Sequence, residues 1–205
     1  MKNLSKLTVG EYQQLYSIHT SKDDDMDKAV QSVAILTGKA RWEVEDMDFK
    51  QFSQLTKEIS ILFTPQVGQP KTSIRINKKR YAVILNPRKI TYGQYIDLQT
   101  FLKGNLIENL HKIMACLVVP KKLFGRGKYD GANHEEISTG IQDCNFIDVQ
   151  STCVFFSLLW SSSIKATIPY LNQEMKKKNL KLPETALQNI MDGFLTLPLL
   201  RSTKE

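Results

Sequence analysis

The strongest constraint on this chain is a helix start that is written twice. Leu7-Thr8-Val9-Gly10-Glu11-Tyr12-Gln13-Gln14-Leu15 returns as Ile90-Thr91-Tyr92-Gly93-Gln94-Tyr95-Ile96-Asp97-Leu98. In each copy the threonine hydroxyl is placed to accept a hydrogen bond from the first-turn backbone. The Glu11 or Gln94 side chain, three residues on, is placed to reach back to the threonine amide. Tyr and Leu, three apart, then share one helix face.

Two further echoes follow in the same order. Met26-Asp27-Lys28-Ala29 and Val33-Ala34-Ile35-Leu36 parallel Ile107-Glu108-Asn109-Leu110 and Met114-Ala115-Cys116-Leu117, both with helical apolar spacing. Asp48-Phe49-Lys50-Gln51-Phe52 and Ile59-Ser60-Ile61-Leu62-Phe63 parallel Asn145-Phe146-Ile147-Asp148-Val149 and Phe156-Ser157-Leu158-Leu159-Trp160. A short helix around Ala40 to Asp46 precedes the third segment of the first copy, and His134 to Thr139 is placed to do the same in the second. Repetition in register predicts a duplicated helical unit, with a basic loop inserted in its second copy.

The texture changes between the copies. Pro65, Gly68 and Pro70 form a linker before Thr72-Ser73-Ile74-Arg75-Ile76 and Tyr81-Ala82-Val83-Ile84-Leu85, and the alternation around Asn77-Lys78-Lys79-Arg80 predicts a hairpin. A two-stranded ribbon is marginal in water, so it is expected to pack on the helices or to join a sheet supplied by a neighbouring subunit. After the second copy, Ile164 to Lys178 continues as a helix that Pro169 kinks or restarts, and Pro183 to Met191 reads as another that Gly193 ends. The apolar tail Leu195-Thr196-Leu197-Pro198-Leu199-Leu200 would be sticky if exposed and is expected to dock.

The expected fold is therefore mainly α: two copies of a capped three-helix unit flanking a β-hairpin, with a C-terminal helical extension. The boundaries are 1–64 for the first unit, 65–89 for the linker and hairpin, 90–163 for the second unit, and 164–205 for the extension and tail. With 205 residues, 41% of them hydrophobic, there is material for one large core or two small ones. Cys116, Cys144 and Cys153 are an odd, scattered set, expected to be reduced thiols. Neither a secretion signal nor a membrane span is expected, since Val149 to Trp160 is too short to cross a bilayer.

Net charge is +7 and unevenly spread. Asp23, Asp24, Asp25 and Asp27 make the early chain acidic. Lys121, Lys122, Arg126 and Lys128, then Lys176, Lys177, Lys178 and Lys181, make the later chain basic. The first basic group lies in a glycine-rich loop with Phe124 and Tyr129 interleaved, a composition that suits phosphates and stacked bases, although the commoner reading is a solvated loop.

Catalytic and cofactor motifs each fail at a named residue. Phe124-Gly125-Arg126-Gly127-Lys128 would need Ser or Thr at 129 and Gly at 122 to cradle phosphates, but holds Tyr129 and Lys122. A dinucleotide fingerprint fails because Gly131 falls one residue late. The Asp23-x-Asp25-x-Asp27 run has Lys28 and Ala34 where a calcium loop needs Gly and Glu. His134-Glu135-Glu136 has Ser138 where a zinc helix needs its second His. No cofactor, metal or catalytic residue is therefore expected, and the chain reads as a non-enzyme.

Leu7 to Tyr12 with Ile35-Leu36-Thr37-Gly38, the Asn77-Lys78-Lys79-Arg80-Tyr81 hairpin, and Ile90 to Asp97 followed by Glu108-Asn109-Leu110 resemble tail and neck morphogenesis proteins of tailed bacteriophages, those of crAss-like phages above all. The resemblance covers about residues 7–160. It implies a virion ring protein at the portal and tail, or a tail assembly chaperone that holds the tape-measure protein, found in the virion and in the host cytoplasm during assembly. The expected partners are further copies of the chain and other phage portal or tail proteins, and no membrane. Contacts between copies are expected at Ile74, Ile76, Tyr81 and Val83 of the hairpin and at Leu197, Leu199 and Leu200 of the tail. A basic nucleic-acid-binding module, through Lys121, Lys122, Arg126 and Lys128, is the third expectation.

Overall fold

The computed structural model describes residues 6–63, 68–122 and 127–177, with side-chain surroundings left out at 62 and beyond 163. Both duplicated helix starts form as their chemistry dictates. In α1 (Val9–Thr20) the Thr8 hydroxyl accepts from the Glu11 amide at 3.2 Å, while the Thr8 amide donates to the Glu11 carboxylate at 3.0 Å. In α5 (Tyr92–Leu102) the same reciprocal pair joins Thr91 and Gln94 at 3.3 and 2.9 Å.

Each start is followed by three more helices. After α1 come α2 (Asp25–Thr37), α3 (Arg41–Glu45) and α4 (Phe49–Leu62); after α5 come α6 (Leu110–Leu117), α7 (His134–Gln142) and α8 (Phe146–Lys177). Asp24 caps α2 by accepting from the Met26 amide at 2.9 Å, and Asp48 caps α4 by accepting from Lys50 and Gln51. Gly38, at φ +68°, closes α2 in the left-handed conformation that glycine adopts without strain. Each half thus carries four helices among the described residues, α3 and α7 standing where the sequence places a short helix before the third segment of each copy. Among the described residues α8 continues through Pro169 to Lys177 as one helix, and the helix expected over Pro183 to Met191 lies outside the described residues.

The hairpin forms as β1 (Ser73–Ile76) and β2 (Lys79–Val83), with Ile76 opposite Lys79 across a two-residue turn. Asn77 and Lys78 both have positive φ, 46° and 65°, which matches the right-handed twist of the flanking strands. The sheet is completed from within. A third strand, β3 (Val118–Pro120), leaves α6 without a loop and pairs antiparallel with β2, Val83 opposite Val118 and Ala82 opposite Val119. The hairpin packs on the helices of its own chain, one of the two outcomes expected of it, and gains its third strand from that chain.

Strand alternation gives the sheet two buried faces. Ile76, Tyr81, Val83 and Val118 enter the main core with Val33, Leu98, Met114, Ile141 and Phe156. Ala82, Ile84 and Val119 form a smaller cluster on the other face, under Ile90 and Tyr129. Ile76, Tyr81 and Val83 are buried within their own chain, and Ile74 is half-buried against the same core. These hairpin side chains are therefore packed inside their own chain, which leaves little of their apolar area for a partner to cover.

α6 sits at the centre, with Leu110, Ile113, Met114, Ala115, Cys116 and Leu117 all buried. α1 is clamped to the second half. The Val9 amide donates to the Cys144 carbonyl at 2.9 Å, the Phe146 amide to the Leu7 carbonyl at 2.8 Å, and Tyr12 stacks on Phe146 with centroids 3.6 Å apart. Gln13 Nε2 adds donations to the Ile107 and Glu108 carbonyls at 2.7 and 2.9 Å. One continuous apolar cluster contains residues of both halves.

Candidate functional site

The turn chemistry of the hairpin fixes a row of cations. With Ile76 opposite Lys79, Arg75 stands directly opposite Arg80 on the neighbouring strand. The register of β2 with β3 carries the row on, since Tyr81 faces Pro120 and the Lys121 amide donates to the Arg80 carbonyl at 3.0 Å. Arg75, Arg80 and Lys121 thus lie side by side across three strands, all exposed. Where the chain returns, Gly127 is tied to the Pro120 carbonyl at 2.7 Å, which sets Lys128 beside the row.

A groove of about 510 Å³ at this end of the sheet is lined by Lys79, Arg80, Lys121 and Lys128, with Asp130 and Glu136 on its far wall. Asp130 is occupied in a turn, accepting from the Ala132 amide at 3.0 Å and from Asn133 Nδ2 at 2.7 Å. Among the described residues the ion pairs engage Lys28, Arg41 and Lys71, and none engages the cations of this row.

Behind the row lies a polar cluster. Tyr129 donates to Asp97 Oδ2 at 2.7 Å, and Cys116 Sγ lies 3.5 Å from His134 Nε2. A Cys–His pair invites a nucleophile reading, but the surroundings hold the thiol neutral. Burial, helped by the Asp97 charge, pushes Cys116 up to about 12. His134 Nε2 also lies 3.0 Å from the Lys112 carbonyl, an acceptor that calls for a proton on that nitrogen. A nitrogen carrying that proton is not a base for Cys116. Burial and the Asp97 hydrogen bond likewise raise Tyr129, so its phenol stays protonated.

A second kind of surface lies on α5 and α8. Tyr95 stacks on Trp160 with centroids 5.7 Å apart, and Tyr92 adjoins Tyr95 at 6.4 Å. Tyr92 is 78% exposed and Ile96, one turn on, 45%. Leu158 and Leu159 add exposed aliphatic area on α8. In the first half Met26, Trp42 and Phe49 are also strongly exposed.

Of the residues marked in the sequence, Lys121 and Lys128 line the groove and Lys122 is exposed beside them. Arg126, Leu197, Leu199 and Leu200 lie outside the described residues. Sequence reasoning missed Arg75, Lys79 and Arg80 as partners of the loop cations, although the two-residue turn already implies that Arg75 and Arg80 face each other. It missed the α5–α8 surface because Tyr92 and Ile96 fit an ordinary amphipathic stripe. No helix among the described residues is long and apolar enough to cross a membrane. Comparison with protein-family models, curated proteins and solved structures gives no match.

Proposed function

We propose that this chain is a non-enzymatic structural subunit of the portal, neck or tail region of a tailed-phage particle, assembling with further copies of itself into a ring. The observation that carries the reading is the surface of exposed Tyr92, Ile96, Leu158 and Leu159 on α5 and α8, with half-buried Tyr95 stacked on half-buried Trp160 between the two helices, since grouped exposed apolar side chains suit a protein contact. A closed ring needs two different patches on each subunit, and Met26, Trp42 and Phe49 supply candidates for the second. The resemblance of residues 7–160 to phage neck and tail proteins is in line with the same reading, as is the recurrence of a capped four-helix order, which we ascribe to duplication. Leu197, Leu199 and Leu200 remain candidate contacts of the tail.

The test is light scattering on the full chain across a range of concentrations, alone and with the portal protein. Defined oligomers are expected, and Tyr92→Ser with Ile96→Ser should shift them to monomers while circular dichroism stays unchanged. A monomer at high concentration under both conditions would sink the ring.

The same surface favours a second reading, a tail assembly chaperone that receives an apolar segment of the tape-measure protein. Mass spectrometry of purified particles separates the two: the ring subunit is retained and the chaperone is absent.

A further inference from the structure

We infer that the cation row on the sheet is a binding surface for the phosphate backbone of a nucleic acid, engaged without regard to base sequence. Like charges directly opposite one another on neighbouring strands destabilise a sheet. Here three cations, Arg75, Arg80 and Lys121, take adjacent places across three strands. No described carboxylate pairs with any of them. An arrangement that costs the free protein stability is relieved when an anion lies across it.

The spacing suits a polyanion. Neighbouring strands stand about 4.8 Å apart, so the row presents charges about 5 and 10 Å apart along one line. A nucleic-acid strand carries one charge per about 3.4 Å of axis and meets such a row at successive phosphates. Lys128 extends the line from the groove, and Lys89, beside Lys128 in an adjoining hollow, extends it further.

The chemistry favours nucleic acid over an acidic protein. Protein interfaces are anchored by buried aromatic or aliphatic side chains, yet the large exposed apolar residues are on α2, α3, α4, α5 and α8 and none is on the sheet. Tyr81 is buried, and Tyr129 packs on the Ala82, Ile84 and Val119 cluster with its hydroxyl on Asp97, so the row offers a base less than it offers the phosphates. Contacts to phosphate alone position a strand and read no sequence. The inference does not depend on the ring or the chaperone reading.

The experiment is fluorescence anisotropy of the full chain with a labelled 30-nucleotide single strand and the corresponding duplex between 50 and 200 mM NaCl. Binding is expected to weaken steeply with salt and to be indifferent to sequence. The variant Arg75→Thr/Arg80→Thr/Lys121→Thr should lower the slope of log affinity against log salt by about 2 on the single strand, at about 0.7 for each phosphate that is no longer neutralised. Its thermal unfolding should be no lower than that of the parent. Should the triple variant not fold, Lys121→Gln alone should lower the slope by about 0.7, whereas Lys57→Gln on α4 should leave it unchanged. Absence of binding at 50 mM NaCl, or an unchanged slope in the row variants, would overturn the inference. So would polyglutamate that competes as well as DNA at equal charge, which would assign the row to an acidic protein.

Discussion

The two capping boxes use different residues at the same place, and the difference is testable. Gln94 is 0% exposed, whereas Glu11 is only half-buried. The Gln94 side chain is fully engaged: Oε1 accepts from the Thr91 amide at 2.9 Å and Thr91 hydroxyl at 3.2 Å, and Nε2 donates to the Cys116 carbonyl at 2.7 Å. Replacing it with Leu leaves the buried Cys116 carbonyl unpaired, at about 1–3 kcal/mol, and removes the capping bond of the exposed Thr91, at about 0.5–1 kcal/mol, so a loss of about 2–3 kcal/mol is expected. Gln94→Glu is the sharper perturbation. It keeps the Thr91 bonds but sets a carboxylate oxygen against the Cys116 carbonyl oxygen at a side chain that is fully buried. The folded-state pKa of that new carboxyl must rise above the unfolded value of about 4.3. The unfolded chain therefore loses its proton first, and the penalty is absent below about pH 4.3 and grows as pH rises, by up to about 1.4 kcal/mol per unit. Urea unfolding followed by circular dichroism should show Gln94→Glu about 3 kcal/mol less stable than the parent at pH 7, with about two-thirds of that difference gone at pH 5. Glu11→Gln should stay within about 1 kcal/mol of the parent throughout. If Gln94→Glu matched Glu11→Gln at pH 7, or its deficit did not change with pH, the burial argument would be refuted.

Three further outcomes are expected. His111, whose Nδ1 lies 2.8 Å from Gln13 Nε2, is lowered to about 4 by burial, then by Lys112 and His134; since the unfolded value is about 6.5, its contribution to stability is present above pH 6.5 and is lost as pH falls towards 4. An NMR titration of the ring with a midpoint near 6.5 would contradict this. Burial raises Cys144 to about 11 and Cys153, like Cys116, to about 12, so a thiol reagent at pH 8 should find no fast-reacting cysteine in the native chain and all three in denaturant; a native burst would show one of these sites to be open. Gly140 carries α7 against the hairpin turn, where an added Cβ would stand 2.5 Å from an Ile76 methyl carbon and 2.8 Å from Asn77 Nδ2, so Gly140→Ala should cost about 1–3 kcal/mol in thermal or urea unfolding despite the better helix propensity of alanine. A stabilised Gly140→Ala would mean that helix and turn separate freely.

Much of the fold was legible where local chemistry dictates it. Thr8 with Glu11, Thr91 with Gln94, and Asp48 before Phe49 announce helix starts that need no tertiary help, and Asn77-Lys78 announces a turn. Strand β3 was not legible. The run from Leu110 to Val119 is apolar throughout most of its length, and a near-continuous apolar run carries neither the helical nor the strand period. Only the open edge of β2 decides that Val118 and Val119 leave the helix to pair. That hidden strand is also why the hairpin looked unpartnered and why Ile76, Tyr81 and Val83 looked available to a neighbour. It is likewise why Lys121 could be marked as basic but not placed beside Arg80. The aromatic surface failed for the opposite reason: Tyr92, Ile96 and Trp160 have helical spacing, and spacing does not say which stripe remains uncovered.

The clamp between α1 and the junction of α7 with α8 has a consequence for synthesis. The partners of Leu7 and Val9 are Phe146 and Cys144, so α1, although made earlier, cannot be fixed by its strand-like bridge until synthesis has passed residue 146. Until then Tyr12 lacks Phe146, and the first four helices have no partner for one side of their core. Chains cut short before residue 146 should accordingly be poorly folded and open to proteases. Two fragments divided in the linker before the hairpin should instead recover structure on mixing, because each carries the surface the other needs. Fixing of the first four helices is thereby deferred until residues 144–146 have been made.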